Sequence, residues 1–132
     1  MKMRDAVTAY GALSKIAGEE MEFRDAYEVA KVLEKLKNAV EFHGREEMRL
    51  AEKYAEKVDG KPHIAEGNIY FASGEDREAF YAKREELGNI EIEDVRITIK
   101  PMKGAVKPEV LVGLMDVVEF REDENAAEDD VC

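Results

Sequence analysis

The sequence predicts an α+β fold: an N-terminal helical hairpin with a long second helix, a small antiparallel sheet, two further short helices and a disordered acidic C-terminal tail. Three observations lead there. Apolar residues return every three or four positions over residues 4–17 and 24–57, which is helical spacing. They crowd or alternate in "HIAEGNIYF" and "NIEIEDVRITIKP", which is strand spacing. Beyond Arg121 they nearly vanish, and "REDENAAEDDVC" carries one base against six acids. At 132 residues the chain suits one domain, 1–120, followed by the tail, 121–132.

The first helix is expected over Arg4–Ala17, with Val7, Tyr10, Leu13 or Ser14, and Ala17 as its stripe and Gly18 as its stop. The second is expected from Arg24 to Lys57. Its apolar positions are Tyr27, Ala30, Leu33, Val40, Ala51, Tyr54 and Val58, flanked by Val29 and Leu36. Such a helix would be roughly 50 Å long, more than a small domain is wide. Part of it pairs with the first helix, and the remainder must meet the β region or a partner. Gly44 predicts a bend or break.

Asp59-Gly60 stops the helix, and Pro62 forbids its continuation. "HIAEGNIYF" then reads as two short strands turning around Glu66, Gly67 and Asn68. Ser73 caps a third helix that runs to Leu87 and ends at Gly88, with Phe80 and Leu87 on its core face. In "NIEIEDVRITIKP" the apolar parity switches between Ile92 and Val95, which predicts a bulge or turn at Glu93-Asp94. This segment is expected to pair with "HIAEGNIYF" and to end at Pro101. Pro108 opens a last short helix carrying Val110 or Leu111, Leu114, Val117 and Val118.

Composition narrows the function. With 20 Lys+Arg against 31 Asp+Glu the net charge is -11, which opposes phosphate backbones and anionic membranes. The bases are scattered among acids, as on a solvated helix face. No direct nucleic-acid or membrane binding is expected. The single cysteine, Cys132, allows no internal disulfide, and there is neither an apolar signal core nor a run of transmembrane length. A soluble, cytoplasmic protein is expected.

Chemistry-bearing groups are few. His43 and Glu47 stand four apart and can share a helix face, but two ligands do not make a metal site. His63 beside Pro62 would need a nucleophile and an orienting carboxylate, and nothing local supplies the nucleophile. "DGKPH" lacks the earlier glycine and the hydroxyl residue of a phosphate loop. Pairs such as Glu19-Glu20, Glu46-Glu47 and Glu85-Glu86 read as surface. An enzyme is therefore not expected, nor is a cofactor or metal. What remains is a row of aromatics along the second helix, Phe23, Tyr27, Phe42 and Tyr54, which offers anchors for a partner protein. The tail offers a second surface: Glu122, Asp123, Glu124, Glu128, Asp129 and Asp130.

"RDAYEVAKVLEKLKNAVE", "RLAEKYAEKVDGK", "GNIYF", "FYAKREELGNIEIEDVRITI" and "VKPEVLVGLMDVVEF", in that order, resemble a family of small proteins encoded by tailed phages and prophages of Gram-positive bacteria, known as a domain of unknown function. The likeness spans about Met21 to Phe120, and the acidic tail departs from it. It implies a phage accessory protein acting by protein-protein binding in the host cell, as an assembly factor or minor virion component, and it carries over no site residues. The charge motivates an alternative: an acidic, DNA-mimicking inhibitor of a host nucleic-acid enzyme such as a CRISPR or restriction nuclease. The expected partner is thus a virion component or a host defence enzyme, with homodimerisation through the long helix as a further expectation.

Overall fold

The structure is a computed structural model that describes residues 1–102 and 106–121. Helix α1, Met3–Ile16, is held by a face rich in small residues: Met3, Ala6, Ala9, Ala12, Leu13 and Ile16 are buried. Of the expected stripe Leu13 is buried, but the rest is rotated away from this face. Val7 and Tyr10 are half-buried, and Ser14 and Ala17 are exposed. Alanines bury little area each, so they weigh lightly in a hydrophobic pattern, but they let neighbouring backbones come close. One close approach is at Gly113, where an added Cβ would stand 2.9 Å from the Cβ of Ala12.

Helix α2 is one uninterrupted helix of 32 residues, Phe23–Tyr54, about 48 Å long. It passes through Gly44 without a break. Its buried positions are Asp25, Val29, Val32, Leu36 and Ala51. The expected stripe through Tyr27, Ala30 and Leu33 therefore gives way to its flankers Val29 and Leu36. Tyr27 lies nine residues, two and a half turns, before Leu36, and so faces away from the core. The helix also ends sooner than expected. Ala55 is already extended, and Val58, read as helical, is an exposed strand residue.

The reason is a second hairpin that the sequence reading did not separate from the helix stop. Strands β1 (Lys57–Val58) and β2 (Lys61–Pro62) pair antiparallel across Asp59 and Gly60, both at positive φ, 54° and 77°. Strands β3 (Ile64–Ala65) and β4 (Asn68–Ile69) repeat the device with Glu66 and Gly67 at 52° and 78°. Positive φ at both central residues matches the twist of a two-residue hairpin, and glycine adopts it at least cost. His63 joins the hairpins. Its N–H donates to the Glu56 carbonyl at 2.7 Å, and its carbonyl accepts from the Tyr70 N–H at 3.0 Å.

Helix α3, Gly74–Gly88, begins where expected: the Asp76 N–H donates to the Ser73 hydroxyl at 3.2 Å. Phe80 and Leu87 are buried. After it the chain crosses the start of α1, with an isolated antiparallel bridge between Lys2 and Glu91. The parity switch at Glu93-Asp94 resolves into irregular chain that separates this bridge from strand β5, Ile97–Ile99.

Strand β5 does not pair with "HIAEGNIYF", as expected, but runs parallel to β6, Val118–Phe120. Between them lies α4, Pro108–Leu114. Parallel neighbours need such a crossover, which is why the pairing is non-local and silent in the strand segment itself. The expected final helix is correspondingly shorter, with Val117 and Val118 buried from a turn and a strand. Their i, i+3, i+4 relation to Leu114 satisfied a helical pattern equally well. The main core joins α1, the Val29–Leu36 part of α2, Ile97, Ile99, Val110, Leu114, Val117 and Val118.

One acid lies inside this frame. Asp25 is 1% exposed; its carboxylate accepts the Lys100 N–H at 3.1 Å and a terminal nitrogen of Arg121 at 3.1 and 3.2 Å. The other terminal nitrogen of Arg121 donates to the Thr98 carbonyl at 3.2 Å. The carboxylate thereby ties the first turn of α2 to the open ends of β5 and β6. Among the described residues no helix is long and apolar enough to cross a membrane.

Candidate functional site

The aromatic row of α2 divides by direction. Phe23 is 91% exposed and Tyr27 58%, together at the helix start on the side away from the core. Tyr54 stands eighteen residues, five turns, after Leu36 and returns to the core-facing side, where it is half-buried with the Lys53 ammonium 5.2 Å from its ring centre. Phe42 lies between these directions and lines a groove.

That groove runs between α2 and α3 and holds about 370 Å³. Phe42 and Leu50 line it from α2, and Leu87 and Ile90 from α3 and the residues after it. Its rim is charged but largely self-neutralised. Arg49 contacts Glu46 at 3.2 Å, and Lys83 contacts Glu86 at 3.3 Å. An apolar floor within a balanced polar rim is the anatomy of a contact patch between proteins. The second half of α2 supplies it because, beyond Leu36, that half buries Ala51 alone.

The histidines fall into two settings. His63 Nδ1 lies 3.0 Å from Glu56 Oε2, and its ring stacks on Tyr70 with centres 4.4 Å apart. The orienting carboxylate is thus present. Among the described residues, though, no hydroxyl or thiol is hydrogen-bonded to the imidazole, so the arrangement reads as a pin for the double hairpin. His43 Nδ1 faces Glu47 Oε1 at 3.4 Å, the expected i,i+4 relation, but its side chain is only 13% exposed. Glu47 is no idle surface acid either, since its other oxygen pairs with Arg84 Nε at 2.9 Å. This His43–Glu47–Arg84 chain escaped the sequence reading because Arg84 comes from a different helix.

Among the described residues no group of three or more His, Cys, Asp and Glu side chains is placed to hold a metal. The acidic surface of Glu122, Asp123, Glu124, Glu128, Asp129 and Asp130 lies outside the described residues, as does Cys132. Compared with known proteins, the chain matches no family model, no curated protein and no solved structure.

Proposed function

We propose that the chain is a non-enzymatic protein-binding module, a phage accessory protein such as an assembly factor or minor virion component, that works in the host cytoplasm and docks through α2. The observation that carries this reading is the position of Phe23, Tyr27 and Phe42 on an unbroken helix, outside the core that the same helix helps to build. Aromatic side chains supply much of the energy at protein interfaces, and leaving them in water is unfavourable unless something covers them. The cellular setting in this proposal comes from the resemblance in motif order to tailed-phage proteins.

The test is affinity capture by the tagged protein from nuclease-treated lysates of infected and uninfected cells. A double Phe23→Ser/Tyr27→Ser variant and a Phe42→Glu variant run alongside. The expected result is a virion protein retained from infected lysate, lost with at least one variant whose thermal melting matches the parent. Undiminished retention by both variants would remove α2 from the account.

A second reading rests on the charge of -11, of which residues 122–132 contribute six acids. In it the chain inhibits a host nuclease by occupying its phosphate channel. Capture of a host nuclease, released by DNA and by salt, would favour it. Equal inhibition by a tail-deleted, charge-neutralised variant would exclude mimicry.

A further inference from the structure

A separate cleft of about 430 Å³ opens where α1, α2 and α3 meet, and it shares no lining residue with the groove of Phe42. Arg4 and Val7 line it from α1, His43 from α2, and Tyr81, Arg84 and Glu85 from α3. The helices are close enough here that a Cβ on Gly88 would stand 3.3 Å from the Cβ of Arg4.

The polar groups in this cleft are held but not used up. Glu47 engages His43 through Nδ1 and Arg84 through Nε, which fixes both side chains by one edge. Among the described residues, the opposite edges have no partner: His43 Nε2 and the two terminal nitrogens of Arg84 are unbonded. The Arg4 guanidinium and the Tyr81 hydroxyl are likewise without a hydrogen-bond or ion-pair partner. Arg4, Tyr81 and Arg84 are exposed, so water meets these edges, and because guanidinium groups only donate, a ligand that displaces that water must accept. Among the lining residues two arginines stand against one acid, Glu85, in a chain whose net charge is -11, and Arg84 shares its charge with Glu47. Val7 and the Tyr81 ring provide apolar wall beside them, and low polarity strengthens a charge-assisted hydrogen bond. The volume lies in the range of small-molecule sites, roughly 300–1,000 Å³.

We infer that this cleft binds a small ligand with a single anionic group and an apolar body, its carboxylate or phosphate group on Arg4 and Arg84 and its body against Val7 and Tyr81. Glu85, the acid in the lining, repels a second anionic group and so disfavours polyanions. This inference stands apart from the docking role of α2.

The test is a 15N-NMR titration of the full chain with benzoate, phenyl phosphate and inorganic phosphate. The expected result is saturable shifts at the amides of Thr8, His43, Arg84 and Gly88 with benzoate or phenyl phosphate, and weaker binding of inorganic phosphate. The stronger of the first two identifies the head group. Arg4→Gln and Arg84→Gln, both at exposed positions, should each weaken binding about tenfold, whereas Lys61→Gln, an exposed base outside the cleft lining, should not change it. Three results would overturn the inference: no saturable shift with any probe, inorganic phosphate binding as well as phenyl phosphate, or undiminished binding by the double arginine variant.

Discussion

The two halves of α2 are one helix by hydrogen bonding but two different objects by packing. From Asp25 to Leu36 the helix buries a row of side chains against α1 and the β5–β6 pair, and a buried acid locks it to both strand ends. Past Leu36 Ala51 alone is buried, and the remaining contacts are half-exposed: a groove wall, a histidine and the Glu47–Arg84 salt bridge to α3. The difference teaches a division of labour. The first half fixes the fold with one face and leaves Phe23 and Tyr27 exposed on the other, and the second half is held far more lightly.

The sharpest way to break this comparison is to remove one acid from each half. Asp25→Ala leaves the Arg121 guanidinium and the Lys100 N–H without their carboxylate, and should lower unfolding free energy by about 3–5 kcal/mol in urea titrations. Glu47→Ala also removes an acid that contacts two bases, but at a half-exposed site, and should cost at most about 1 kcal/mol. Equal losses would mean that the second half is as tightly built as the first. Leu36→Ala against Leu50→Ala is the apolar counterpart. The fully buried Leu36 should cost about 2–5 kcal/mol and the half-buried Leu50 clearly less, by the same measurement.

Smaller effects sharpen it. Nothing lies within 4 Å of where a Gly44 side chain would stand, so Gly44→Ala should stabilise the protein by about 0.5–1 kcal/mol. A loss instead would indicate that α2 breaks there after all. Phe23→Ser and Tyr27→Ser should each change the unfolding free energy hardly at all, within about 0.5 kcal/mol in urea titrations, because neither side chain supports the core.

The sequence made local structure legible and left non-local structure hidden. The bounds of α1 and α3 could be read because the Ser73 cap and a glycine at or near each helix end act within a few residues. The azimuths of α1 and α2 were misjudged because large residues such as Tyr10 and Tyr27 outweigh Ala6, Ala9 and Val29 in any pattern, although the smaller ones make the closer packing. Pairing of β5 with β6 depends on a crossover through α4, and no alternation within Ile97–Ile99 encodes its partner. Of the candidate site, Phe23, Tyr27 and Phe42 were visible as residues. The groove was not, because Leu87 and Ile90 belong to a different part of the chain. Arg4, His43 and Arg84 each come from a separate helix, and only the tertiary fold brings them to one cleft.

The central claim, that α2 presents the partner-binding surface, is tested most directly by placing a photo-crosslinking amino acid at position 23, 42 or, as a control on another exposed surface, 98. Each variant is irradiated in infected-cell lysate and its adducts are identified by mass spectrometry. The account predicts one protein joined at position 42, position 23 or both, and absent at position 98. Adducts to that protein at position 98 alone, or none from either α2 position, would contradict it.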